Sequence, residues 1–360
     1  MTTPHRPKVV CITTVDLSLR FLVFDHLKHL VETGYTVVAV SAPGPYLAEV
    51  AQAGITTIPV PMSRRITPFR DLVALWRLVR LLHREKPEIV HTHTPKANLL
   101  GQWAAFLSGC RRRISTVHGF YFTPETPILK QALFRLTEHL SALPSHVVFL
   151  INREDMETAV RLRIVRGDKV RLLEGGLGID LRRFHAEGAP AAERARHREG
   201  LGISADALVV GYVGRLVEEK GVLDLFAAFR QVLAREPRAF LLMVGPYDAA
   251  KPDAIRPDTA AKYGIGDRTL FTGMRLDTVD LYRAMDVFVL PSHREGLPIS
   301  AMEAQAMRLP VVTTDARGCR EVIAPGETGL LIPPRDPDAL AEALLRLLHD
   351  EELRSRLGAN

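Results

Sequence analysis

Two glutamates eight positions apart, Glu295 and Glu303, lie in the stretch REGLPISAMEAQAMRLP. Glu295 stands just before a glycine and Pro298, a proline suited to the first position of a helix, and Glu303 falls in the second turn of the apolar helical pattern that follows. Carboxylates so placed can accept from the vicinal hydroxyls of a ribose or a hexose. The backbone around Gly296, Leu297 and Ile299, with Pro298 setting the turn, supplies unsatisfied helix N-terminal donors, a ready anion site. A plain structural explanation competes: carboxylates near the positive end of a helix dipole stabilise it by ~0.3–1 kcal/mol each.

A second cluster is GYVGRLVEEKG (211–221), where Arg215 and Lys220 bracket a loop between a strand and a helix. An arginine fork and a lysine point charge suit a diphosphate, although a solvated turn would look the same. In TVHGFYF (116–122), His118 and Gly119 follow a β-branched run and fall at a strand's carboxyl end. In HTHTPK (91–96), His91 and His93 share one face of a strand end, without a convincing third ligand for a metal, and Lys96 sits near a helix start where it could meet an anionic acceptor. No GxGxxG follows the first strand of either half, and there is no Walker A sequence or GxSxG elbow. The Asp336-Pro337-Asp338 pair precedes an apolar helical run, so a helix cap explains it better than a metal site.

The elements that must position these residues alternate along the chain. Near-continuous apolar strands at 8–14, 36–41, 55–60, 88–93, 114–119, 146–151 and 170–175 are separated by helical patterns, including stretches near 17–32 and 69–86. Strands return at 207–214, 239–245, 268–273, 286–292 and 309–315. This is the signature of parallel sheets covered on both faces, with ligands at the carboxyl ends of the strands. The small, charged segment 186–204 suits a linker, which predicts domains at 1–185 and 205–360. A 47% apolar content excludes a disordered chain, and the N-terminal stretch lacks a signal peptide's apolar core. Three scattered cysteines, Cys11, Cys110 and Cys319, are expected to be free thiols in a reducing compartment. Residues 1–180 hold 23 Lys+Arg against 15 Asp+Glu, and the remainder holds 24 against 26, so the basic excess belongs to the first half. That excess fits a membrane face or an anionic substrate; with 6% aromatics and no recognisable motif, nucleic acid is not expected.

Together these motifs resemble the large retaining glycosyltransferase family 4, of GT-B fold, over nearly the whole chain. The resemblance rests on Glu295 and Glu303 as an E-x7-E pair, on GRLVEEKG and on FVLPSHREGLP, with support from GETGLLIPPRD (326–336) and GIDLRRF (178–184). HTHTPKANLLG followed by TVHGFYF is most similar to the bacterial branch that builds capsule, O-antigen and lipid-linked glycans. It implies an α/β protein of two Rossmann-like domains facing across a cleft. Glu295 would then contact the donor sugar's hydroxyls and Glu303 the ribose. Arg215 and Lys220 would hold the diphosphate, Gly296, Leu297, Pro298 and Ile299 would bind phosphate and sugar, and Met274 would lie near the base. His118 would come from the first domain to the donor sugar, and Lys96 and His93 would serve the acceptor. Retention through a front-side mechanism, with no metal or other cofactor, is likewise carried by the resemblance. Some features depart from it: TTVDLSLRFL replaces a Gly-Gly loop after the first strand, Arg308 replaces a glycine, EGGLGID lacks an Asn-Gly, and the chain ends at LRSRLGAN where similar proteins continue into a helix.

The expected activity is transfer of a hexose or N-acetylhexosamine from a UDP-sugar to a polyprenyl-diphosphate-linked saccharide or other glycan acceptor. It would take place in the cytoplasm, at the inner membrane face, with peripheral contact to anionic lipid through the first domain. The alternatives are a sugar-nucleotide epimerase of similar shape, which needs no acceptor, and a non-catalytic sugar-nucleotide binder within an assembly.

Overall fold

The computed structural model describes residues 6–123, 126–186, 191–249 and 251–360. The chain divides between Leu177 and Gly178 into two compact units, each built on one wholly parallel sheet.

The first unit carries strands β1 (Lys8–Val15), β2 (Thr36–Ala42), β3 (Thr56–Pro59), β4 (Ile89–His93), β5 (Arg112–Val117), β6 (Val147–Leu150) and β7 (Val170–Leu172). Their order is β3-β2-β1-β4-β5-β6-β7, so the order in which strands are added reverses between β1 and β4. Val10 and Ile12 face the helices Pro68–Glu85 and Pro95–Leu107 through one apolar layer, and Cys11 faces Leu19 and Leu27 through another. That two-sided burial is why β1 reads as an unbroken apolar run. The helical pattern expected near 17–32 forms two pieces, Asp16–Phe21 and Phe24–Glu32. The loop in place of the Gly-Gly motif closes around Asp16, whose carboxylate accepts from the Tyr46 amide at 2.9 Å. All three cysteines are buried free thiols.

The second unit carries β8 (Leu208–Val213), β9 (Ala239–Val244), β10 (Thr269–Gly273), β11 (Val287–Leu290), β12 (Val311–Thr314) and β13 (Gly329–Ile332), in the order β10-β9-β8-β11-β12-β13. The reversal here falls between β8 and β11. Fully buried Tyr212, Phe226, Phe229 and Phe288 anchor one continuous core, each at ~1.5–3 kcal/mol of transfer free energy for a large apolar side chain.

Two expectations about organisation are corrected. The division lies at 177/178 rather than after 185, because Phe184 is buried in the second unit's core, edge-on to the Tyr282 ring at 6.1 Å. The segment 186–204 is not a bare linker. Residues 187–190 lie outside the described residues, but Ala191–Glu199 is a helix anchored by Arg198, which donates to Asp286 Oδ2 at 2.6 Å and to the carbonyls of Ala284, Ala205 and Ala207. A guanidinium buried this deeply requires such a full set of acceptors.

Candidate active site

In an open parallel sheet, ligands bind where the strand order reverses, outside the carboxyl ends of the strands. In the second unit the loops that follow β8 and β11 meet at that point. The β8 loop runs from Gly214 through Arg215 to a short 3₁₀ turn, Glu218–Lys220, and the β11 loop carries Ser292 to Pro298. Two cross-loop pairs, and a third to the helix Val222–Arg235 that follows the β8 loop, lock them together. Lys220 Nζ donates to Glu295 Oε1 at 2.5 Å, Arg294 Nε to Glu219 Oε1 at 2.8 Å, and His293 Nε2 lies 2.6 Å from Asp224 Oδ2. The approach is close enough to exclude side chains: Gly221 has φ +69°, and a Cβ there would lie 2.0 Å from the Pro291 carbonyl oxygen.

Glu295 is the centre of this arrangement. Its Oε1 also accepts from Ser292 Oγ at 2.8 Å, and its Oε2 makes no hydrogen bond among the described residues. Its amide donates to the Arg317 carbonyl at 3.0 Å. Gly318 has φ +79°, and a Cβ there would lie 2.5 Å from the Glu295 carbonyl oxygen, so the loop after β12 packs directly on this backbone. Arg215 is exposed and its guanidinium makes no ion pair among the described residues, while its carbonyl accepts from Tyr212 Oη at 2.8 Å. The structure thus couples Lys220 to Glu295 and leaves Arg215 open.

Pro298 is the N-cap of the helix Ile299–Ala306 rather than its first residue. Among the described residues the amides of Leu297, Ile299 and Ser300 donate to no backbone carbonyl. Glu303 lies in the second helical turn, where Tyr282 Oη donates to its Oε2 at 2.8 Å. Burial, reinforced by the Glu303 charge, pushes the Tyr282 phenol well above its ordinary pKa, so it remains a donor that fixes the carboxylate. The helix closes on Arg308 at φ +57°, the left-handed position where a glycine was expected; a side chain there costs roughly 1–2 kcal/mol. Met274 is exposed just beyond β10. Asp336 caps the helix Pro337–His349 by accepting from the Ala339 amide at 2.9 Å, the role that its sequence context suggests. Nothing in the sequence singles out Tyr282 or Gly318, whose roles depend on contacts between distant segments, and Ser292 is marked only as part of FVLPSHREGLP.

In the first unit, β4 and β5 bring His91, His93 and His118 together, and His26 joins them from the helix Phe24–Glu32. His93 Nδ1 lies 3.0 Å from His118 Nε2, and His91 Nε2 lies 2.8 Å from Thr116 Oγ1. The acceptor role expected of His93 does not fit a side chain with no exposed surface. Lys96 is also engaged internally, donating to Asp71 at 2.7 and 2.9 Å, to Thr67 and to the Arg65 carbonyl, so it braces the turn before the helix Pro68–Glu85. Among the described residues no group of three His, Cys, Asp or Glu side chains is placed to hold a metal ion.

Burial lowers the His91 pKa to about 3 and that of His118 to about 4, and lowers His93 well below its ordinary value. Below about pH 6.5 the unfolded chain therefore takes up protons that these folded histidines refuse, and stability is lost as pH falls. Glu138 acts in the opposite sense. Burial and then Asp155 raise it to about 7, so it favours the folded state as pH falls toward its unfolded value. The lowered histidines, His26 among them, outnumber the one raised carboxyl, so the net effect is a loss of stability as pH falls from about 6 to 5. Both tryptophans, Trp76 and Trp103, lie in the first unit. Tryptophan-monitored urea unfolding should show a lower midpoint at pH 5 than at pH 7. An unchanged or higher midpoint would contradict the neutral buried cluster.

Comparisons with known proteins identify the family. A family model described as "Glycosyl transferases group 1" matches residues 193–360, and one described as "Glycosyl transferase 4-like domain" matches residues 23–176. The capsular polysaccharide biosynthesis glycosyltransferase CapM of Staphylococcus aureus is 30% identical over 303 residues, 84% of this chain and 78% of that protein. The Escherichia coli UDP-Gal:alpha-D-GlcNAc-diphosphoundecaprenol alpha-1,3-galactosyltransferase is 30% identical over 295 residues, 81% of this chain and 74% of that one. Among solved structures, Anabaena Alr3699/HepE in complex with UDP and glucose aligns with TM-score 0.82 at 20% identity, covering 99% of this chain and 93% of that one. Two Rossmann-like units and these matches define a glycosyltransferase of GT-B fold. The chain belongs to glycosyltransferase family 4.

Proposed function

We propose that the protein is a retaining, metal-independent enzyme that transfers a hexose or N-acetylhexosamine from a UDP-sugar to a saccharide carried on a polyprenyl diphosphate. The observation that carries the donor half is the meeting of Lys220 and Glu295 at the β8/β11 switch point, beside an open Arg215 and a helix N-terminus with undonated amides. Two cations and aligned amides stabilise charge developing on a leaving diphosphate. Glu295 Oε2 serves a sugar hydroxyl, Glu303 the ribose, Met274 the base and His118 the donor sugar. The lipid-linked acceptor is supported by the activity named for the Escherichia coli relative. Purified protein, a panel of UDP-sugars and a polyprenyl-diphosphate-linked N-acetylglucosamine should release UDP only with acceptor present and add one sugar to the lipid by mass. Anomeric analysis of that product tests retention. Sugar-nucleotide isomerisation without acceptor would favour an epimerase. Turnover should persist in excess chelator; complete loss restored only by manganese or magnesium would overturn metal independence.

The proposed membrane contact is supported by the helix Pro68–Glu85. It exposes Phe69, Leu72, Val73 and Trp76 beside Arg70, Arg77 and Arg80, and the Arg80 guanidinium lies over the Trp76 ring at 4.7 Å. Apolar groups flanked by arginines suit an anionic lipid surface, at about 1 kcal/mol per basic residue near it. No helix among the described residues is long and apolar enough to cross a membrane. Co-sedimentation with anionic vesicles should fall as salt rises, and should fall further in a Phe69→Ser, Trp76→Ser double variant. Pelleting unaffected by either change would contradict this contact.

A further inference from the structure

His118 and His93 are joined ring to ring, and the burial around them decides where their shared proton sits. β4 ends at His93, β5 ends at Val117, and Thr116 pairs with His93 across the ladder, so His118 emerges directly above the His93 ring. His93 has no exposed surface, and its Nε2 is enclosed without a hydrogen-bond partner, while its Nδ1 lies 3.0 Å from His118 Nε2. The His91 ring covers it at 4.1 Å between centroids, and the His26 ring stands edge-on at 6.3 Å. Adding a proton to this stack would bury a charge among neighbours that offer no carboxylate, so both imidazoles are neutral and one N–H lies between them.

Two arrangements are possible. If His118 Nε2–H donated to His93, the remaining proton of His93 would sit on Nε2 as a buried donor facing no acceptor. If His93 Nδ1–H donates, Nε2 is an enclosed lone pair with no donor. Among backbone groups an enclosed N–H without an acceptor is the rarer defect, and the same ordering applied to the imidazole favours the second arrangement. The second arrangement obliges His118 to carry its own proton on Nδ1, an atom with no hydrogen-bond partner among the described residues on a ring that is only partly buried.

We infer that His93 is a positioning residue, which holds His118 in the Nδ1–H tautomer so that it offers a neutral N–H donor, rather than a lone pair, to the donor sugar. This rests on the proposed contact between His118 and that sugar. Such a donor can bind a hydroxyl or ring oxygen but cannot remove a proton.

The test is two-bond ¹H–¹⁵N correlation on the histidine-labelled full chain at pH 7. His118, assigned by its loss in His118→Gln, should show a protonated Nδ1 and an unprotonated Nε2. A protonated Nε2 would overturn the inference whatever the activity. In His93→Phe, which keeps a ring but loses the donor, the proton should move to His118 Nε2. In His93→Asn, whose amide nitrogen takes the place of Nδ1, it should stay on Nδ1. An unmoved proton in His93→Phe would show that His93 does not set the tautomer. If His93→Phe does not fold, a protonated Nε2 in the parent or in His93→Asn would still overturn the inference. Loss of one oriented donor should lower kcat on the order of 10²-fold with little change in donor KM, and His93→Asn should recover most of it. A tautomer that moves as expected with unchanged kcat would leave the positioning intact and refute the catalytic contact of His118.

Discussion

Glu295→Gln should lower kcat about 10²-fold, the usual cost of misplacing a reacting group by about 1 Å, while UDP binds it as well as or better than it binds the parent. The side chain is nearly enclosed, and one of its oxygens takes both Lys220 and Ser292. The other oxygen is left for a sugar hydroxyl. Glutamine has one accepting oxygen, so it cannot hold the lysine and serve the sugar with the same geometry. Free UDP has no sugar to lose. It also gains from the change, because the substitution removes a negative charge beside the diphosphate and frees Lys220 from its partner. Steady-state kinetics with the preferred UDP-sugar, alongside UDP titration, separate the two effects.

Lys220→Ala should weaken UDP binding by about 10–150-fold, the range for a charge-assisted contact of roughly 1.5–3 kcal/mol. The structure adds a second cost. Without Lys220, the Glu295 carboxylate remains in place with only the Ser292 hydroxyl on Oε1, and it faces the incoming diphosphate uncompensated. Losing one partner of a mostly buried ion pair also destabilises the second unit, so thermal unfolding should shift down as well. The double variant Lys220→Ala, Glu295→Gln should recover part of the lost UDP affinity and stability, since it removes both halves of the pair. Additive losses would show that the two side chains act independently. UDP affinity equal to the parent's in Lys220→Ala would remove the lysine from the diphosphate site.

Much of the fold was legible because its strands are buried on both faces. KVVCITT and ALVVGYVG could only be interior strands of covered parallel sheets, and their carboxyl ends carry the charged loops. The association of Lys220 with Glu295 was not legible: the sequence sets Lys220 beside Arg215 in one loop, and the contact with Glu295 joins residues 75 positions apart. Gly318 has no local signature, since its requirement comes from the Glu295 carbonyl on another loop. Composition misled at 191–199, where a charged, alanine-rich run reads as linker until Asp286 is seen to receive Arg198. His93 and Lys96 read as polar strand-end residues open to a ligand, but one is enclosed by the rings of the first unit and the other by Asp71. Periodicity likewise assigns Phe69, Leu72 and Trp76 to a helix without showing that nothing among the described residues covers them.

Calorimetric titration of UDP into Glu303→Gln and Glu295→Gln, with both variants shown to be folded, tests the donor assignment most directly. The Tyr282-anchored carboxylate of Glu303 is assigned to the ribose, which free UDP retains, whereas Glu295 is assigned to the sugar, which UDP lacks. The expected result is weakened UDP binding in Glu303→Gln and undiminished binding in Glu295→Gln. Undiminished binding in Glu303→Gln together with abolished binding in Glu295→Gln would contradict the assignment.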